Sequence, residues 1–160
     1  MTYDMSPHPS RDKGPQEEIA WLLDQFTTEP GVEHALLTSR DGIRLVSSSG
    51  LGRDAADALA AAFSGLSSLA ANLPGLSGRG APVQQVLVER DSDLFFVVSA
   101  GATNAFPSQP LGAGGSVETV LGVIARPDAD AGKIGFEMQR LVQRFAPHMV
   151  TAVRQGDGER

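Results

Sequence analysis

The sequence predicts an α+β protein: one antiparallel sheet with helices on both faces, in the order α-β-β-α-β-β-β-α. Three observations carry this. Asp41-Gly42 separates two short apolar runs, and an Asp-Gly step supplies the positive φ angles of a tight hairpin turn. Asp91-Ser92-Asp93 separates a second such pair. The runs Leu94–Ser99 and Val117–Ala125 are apolar on both alternating faces, so each strand must be covered on both sides.

The elements follow in order. Residues 1–15 offer nothing to bury and read as a disordered arm. From Gln16 a helix is expected, because Ile19, Leu22, Leu23 and Phe26 fall on one face at i, i+3, i+4 and i+7. Trp21 lies nearly opposite that stripe, as a partly buried aromatic under a loop or as a partner anchor. Pro30 and Gly31 stop the helix, and Val32–Thr38 and Ile43–Ser48 form the first hairpin. Asp54 is placed to cap a long middle helix that runs to about Leu73 and closes at Pro74-Gly75. Leu59, Phe63, Leu66 and Leu69–Ala70 make its apolar stripe, while Ala56, Ala60, Ser64, Gly65 and Ser67 keep the remaining surface small. A small surface lets a second helix approach closely; alanine is also simply the best helix former. Both readings stand at this point.

Val83–Arg90 and Leu94–Ser99 make the second hairpin, and Val117–Ala125 the fifth strand, with Val120 and Ile124 on one face and Leu121 and Val123 on the other. Pro127 and Asp128 introduce a last helix whose inward stripe is Ile134, Met138, Leu141, Val142 and Phe145, with Arg140 and Arg144 toward solvent. The folded unit therefore spans residues 16–150, and residues 151–160 read as a flexible tail. The connection Ala100–Ser116 is long for a compact domain, and its composition predicts a mobile loop.

Charge and composition exclude several classes. A net charge of −6, with two lysines and eleven scattered arginines, leaves no basic field for nucleic acid or an anionic membrane. The absence of cysteine removes thiolate metal sites, thiol redox chemistry and disulfides, and suits a reducing cytosol. No apolar run in the first fifteen residues resembles a signal peptide, and none elsewhere is long enough to insert directly in a membrane. A cytoplasmic protein is expected, peripheral to the membrane at most through partners.

No residue set could run a reaction. His8, His34 and His148 have no second ligand at metal-binding spacing, and His34 reads as a surface strand residue. No Gly-x-Ser-x-Gly elbow exists. The run Gly112-Ala113-Gly114-Gly115-Ser116 invites a phosphate-loop reading, but it leads into a strand and has no lysine nearby. Glu17-Glu18 and Asp91/Asp93 sit at a helix start and a turn tip, ordinary places for acids. No catalytic residue, cofactor or metal is assigned.

The segments WLLDQF, PGVEHALLTSRDG and AAFSGLSSLAANL, with the closing GKIGFEMQRLVQRFAP, resemble the Roadblock/LC7 family, and more narrowly its bacterial branch in conservon-type operons of actinobacteria. The likeness spans about Gln16 to Pro147. It implies a profilin-like, five-stranded sheet with one long helix on one face and two on the other. It also implies a homodimer in which the middle helices meet and the two sheets join. On this sequence that assigns the interface to Leu59, Ala62, Phe63, Gly65, Leu66 and Leu69 of the middle helix and Val86 of the third strand. Members of the family act as platforms or regulators for small Ras-like GTPases, with no catalytic constellation of their own, and this branch is grouped with a sensor-kinase-like protein. The connection Ala100–Ser116 is longer than the branch leads one to expect.

Two other functions compete with that of a GTPase regulator. A sensor of small molecules would share the sheet-and-helix build, but few polar residues occupy core positions where they could orient a ligand. An enzyme would need one of the missing constellations.

Overall fold

The computed structural model describes residues 14–106 and 115–150. Eight elements follow one another: α1 (Pro15–Phe26), β1 (Val32–Ser39), β2 (Arg44–Ser47), α2 (Arg53–Ala71), β3 (Val86–Glu89), β4 (Leu94–Thr103), β5 (Val117–Ala125) and α3 (Ala131–Met149). The sheet has the order β2-β1-β5-β4-β3, all neighbours antiparallel, with β2 and β3 at its edges. This is the expected element order and fold class.

The two faces of the sheet carry unequal cores. On one, α1 contributes Ile19, Leu22, Leu23 and Phe26, and α3 contributes Ile134, Met138, Leu141, Phe145 and Met149, over Ala35, Leu37, Phe96, Val98, Leu121 and Val123. On the other, α2 lies alone over Leu36, Val97 and Val120, with only Ala60 and Phe63 fully buried against them. The split of Leu121 and Val123 from Val120 and Ile124 is the one that strand alternation predicts.

Gly122 explains how close α2 lies. In register it stands between Leu36 of β1 and Val97 of β4, on the α2 face. A Cβ there would collide with the Phe63 ring, so the ring rests on bare backbone at the centre of the sheet. Glycine inside a strand marks such an approach.

Several boundaries differ from the expected ones, each for a physical reason. Pro15 already belongs to α1, at a position where its missing N–H is not needed. Helix α2 is flanked by Gly52 with no side-chain cap; Asp54 lies in the first turn, where its charge favours the helix dipole instead. The last helix starts at Ala131, because the Asp130 side chain accepts the Lys133 N–H at 3.0 Å. Strand β3 begins at Val86 rather than Val83. Gln85 packs on Gly135 of α3 and the Gln84 carbonyl accepts from Gln139, which draws this stretch away from β4.

The largest correction concerns the long connection. Strand β4 continues to Thr103, past a register shift between Ser99 and Gly101. The Thr103 hydroxyl donates to the Met149 carbonyl at 2.5 Å, and the Asn104 N–H donates to the same carbonyl at 3.2 Å. Phe106 is only 3% exposed and belongs to the α1/α3 core. The first part of Ala100–Ser116 is thus docked structure that closes the C-terminus of α3. Leu111 and Gly112–Gly114 lie outside the described residues, as do residues 1–13 and 151–160.

Two stability outcomes follow. Phe106→Ala should cost about 3 kcal/mol in urea denaturation, as for other buried phenylalanines; a loss below about 1 kcal/mol would show that this stretch is not docked. Gly122→Ala should cost about 1–3 kcal/mol by overpacking Phe63, and a second change of Phe63→Leu should recover part of that loss.

Candidate interaction surface

Helix α2 turns Ala56, Ala60, Phe63 and Ser64 to its own sheet. The small residues therefore let this helix approach the sheet, and the Ser64 hydroxyl donates to the Arg40 carbonyl at the β1–β2 turn. This settles which partner Ala56, Ala60 and Ser64 serve: they are not an outward surface for a second helix. What α2 turns outward beyond its first turns still includes small residues, Ala58, Ala61, Ala62 and Gly65, beside larger apolar ones. Leu59 and Leu66 are half-buried and Leu69 is 70% exposed.

An open groove of about 340 Å³ runs between α2 and the β3–β4 hairpin. Leu59, Ala62, Phe63 and Leu66 form one wall and Val88, Arg90 and Phe95 the other. Phe95 faces this side because it pairs with Val88 and Ile124 in register, and its ring tilts against Phe63 at 6.2 Å between centroids. The groove collects four of the residues assigned to a dimer interface from the sequence. Val86 sits beside it, half-buried against the same small core, whereas Gly65 and Leu69 lie on the outer surface of α2, away from it.

Val88, Arg90 and Phe95 were not singled out in the sequence. Period-two alternation from Val97 would have placed Phe95 on the α2 face, and the Arg90-x-x-Asp93 spacing of the turn marks the remaining partner. The Arg90 guanidinium lies over the Phe95 ring, 4.7 Å from its centroid, and is gripped by Asp93 through Nε to Oδ1 at 2.7 Å and Nη2 to Oδ2 at 3.0 Å. This bidentate hydrogen bonding holds the Asp93 carboxyl below the usual carboxylate range.

The rest of the surface is less pointed. His34 is half-buried against Gly50, and its Nδ1 is enclosed without a hydrogen-bond partner among the described residues; this departs from the surface residue expected. Trp21 packs partly against the α1/α3 core. Between α1 and α3, Arg140 and Arg144 line a cleft over Leu22, Phe26 and Leu141, with Glu29 and Glu137 opposite in charge. Among the described residues no three or more His, Cys, Asp or Glu side chains converge as metal ligands, and no helix is long and apolar enough to cross a membrane. The buried hydroxyls bond to backbone: Thr38 to Ile43, Ser48 to Ala35, Thr103 to Met149 and Thr119 to Gly101.

The chain is thus an α+β sandwich in which one helix and an edge strand leave an apolar groove open. The Roadblock/LC7 domain family matches residues 19–104, more than half of the chain, and the chain belongs to that family. Among solved structures, a Roadblock/LC7 domain from Streptomyces avermitilis is 37% identical, with a TM-score of 0.64 over 80% of this chain and 94% of that one. A second S. avermitilis domain is 28% identical, with a TM-score of 0.57 over 79% and 97%. The gliding protein MglB from Thermus thermophilus shares the fold at 21% identity, with a TM-score of 0.66 over 86% and 92%. No curated protein matches the chain.

Electrostatics at the groove give a direct check. Asp93 has a depressed folded value, so its grip on Arg90 is complete above the ordinary carboxylate range and is released as pH falls through that lowered value. In an NMR titration, Arg90→Met should return the Asp93 midpoint toward the ordinary range; an unchanged midpoint would mean the pair is not formed in solution.

Proposed function

We propose that this protein is a non-catalytic homodimeric regulator or scaffold of a small Ras-like GTPase in a bacterial signalling operon, formed through α2 and the β3 edge. The observation that carries the dimer is the uncharged outer side of α2. From Ala58 to Leu73 the chain holds no charged residue, although Leu69 and Leu73 are largely exposed. An apolar helix beside an open strand edge needs a cover. A second copy presents the same features, and twofold closure is the commonest symmetric solution. The GTPase role rests on membership of the Roadblock/LC7 family and on the regulators that the family resemblance implies. A membrane-associated sensor-kinase-like protein is a further partner, to which this scaffold bridges the GTPase.

Stimulation of GTP hydrolysis, on this reading, works by holding the GTPase switch segments in a competent state rather than by inserting an arginine. Arg40 at the β1–β2 turn, Arg53 at the start of α2 and Arg79 in the bend beyond it are all exposed, and none of the three forms an ion pair among the described residues. Singly replaced by alanine, each should change stimulated hydrolysis by less than about tenfold, against the roughly 10³–10⁵ that an arginine finger supplies. Collapse of hydrolysis at one position with binding intact would establish a finger.

The dimer is tested by sedimentation equilibrium. Leu66→Glu removes about 1–2 kcal/mol of apolar burial per protomer, hence twice that per dimer, and should raise the dimer Kd by more than about 30-fold while the circular dichroism of the monomer is kept. A wild-type protein that is monomeric at tens of micromolar removes the dimer. Failure to co-purify with the Ras-like GTPase encoded nearby, with the dimer intact, removes the GTPase role alone.

A further inference from the structure

The cleft of about 240 Å³ between α1 and α3 carries a charge pattern that folding does not explain. Its floor is Leu22, Phe26 and Leu141, all buried. Arg140 and Arg144 stand one helical turn apart on its α3 wall. Like charges at that spacing repel along a helix. Helix α1 does not neutralise them. It lines the cleft with Leu22, Gln25 and Phe26, while Glu17 and Glu18 sit in its first turn and Asp24 accepts the Ser49 N–H. Among the described residues Arg140 reaches only Glu137 of its own helix, at 3.4 Å, and is 64% exposed. Arg144 is exposed and meets no acceptor among them.

Positive charge also collects on α3 as a whole. Lys133, Arg140 and Arg144 outnumber its one acid, Glu137, whereas α1 and α2 are net acidic and the chain carries −6. The helix dipole favours cations in the last turn, and fades before it. That turn holds His148, not the two arginines.

We infer that this cleft docks an acidic amphipathic helix of a partner protein. Two carboxylates one turn apart meet Arg140 and Arg144, and an apolar side chain between them covers the floor. Two helices packed side by side offer the furrow that a third helix fills. Glu29 and Glu137 line the same cleft, which confines the partner's acids to the two guanidinium groups. An anionic membrane is the poorer match, since a flat surface would also meet those carboxylates and the chain's net negative charge. The cleft lies across the sheet from α2, so it stays open whether or not a second copy covers that helix.

The test uses the full chain and a labelled, end-blocked peptide of Glu, Leu and Ala, with Glu repeated at i and i+4. Its Gln-for-Glu counterpart is the control. In fluorescence anisotropy the acidic peptide should bind, more weakly as salt rises, and the control should not. Arg140→Gln with Arg144→Gln should weaken binding about two- to thirtyfold, the worth of two exposed ion pairs. Both side chains are exposed, so circular dichroism should be unchanged. Arg79→Gln, in the bend after α2, should bind as the wild type does. Amide shifts in an NMR titration should centre on Gln25, Thr28, Arg140 and Arg144. No binding at millimolar peptide, equal binding of the control, or binding indifferent to the double variant overturns the assignment. So does binding of phosphatidylglycerol vesicles in place of the peptide, which would give the cleft to lipid. A monomeric wild type removes the dimer proposed above and leaves this site standing.

Discussion

The Phe63 ring seated on Gly122 sets the geometry of the α2 face. Phe63 is the one large side chain that α2 buries completely, and it finds room only because the central strand has no Cβ beneath it. With the ring sunk to backbone level, the small residues Ala56, Ala60 and Ser64 can meet the sheet directly and bring the helix close. A helix held that near to a sheet by one aromatic cannot also cover the sheet's edge. Leu59, Leu66, Val86 and Phe95 are left half-covered around it, and the groove is the space that results.

The opposite face is built by other means. Two helices with long apolar side chains fill it, and the chain locks it from an unexpected direction, through Thr103 bonded to the last turn of α3 and Phe106 buried beside it. The core is thus thick on the α1/α3 side of the sheet and thin on the α2 side.

The element order, the five strands, both hairpins and the inward stripes of α1 and α3 were legible in the chain, because each rests on local periodicity or turn chemistry. Ile19 to Phe26 repeat at helical spacing, and Gly42 marks the first turn, although it alone takes a positive φ there and Asp41 does not. Membership of the Roadblock/LC7 family rests on the same order of segments and is shown by the match over residues 19–104. Four of the groove residues, Leu59, Ala62, Phe63 and Leu66, were also within reach, since they lie on one helix.

Tertiary structure decided what periodicity leaves open. Helix α2 is apolar or small on nearly every side, so its sequence does not say which side meets the sheet; the bare backbone at Gly122, far along the chain, does. The ends of β3 and β4 depend on Gln84, Gln85 and Thr103 finding α3, contacts between segments distant in sequence that no local pattern announces. Arg90 and Phe95 become one feature only when the hairpin folds and Asp93 turns the guanidinium onto the ring. The chain by itself determined which segments form which elements, since that depends on neighbours within a few residues. Only the packed structure decided which faces are buried and which are left open, because burial belongs to pairs of segments that stand far apart in the sequence.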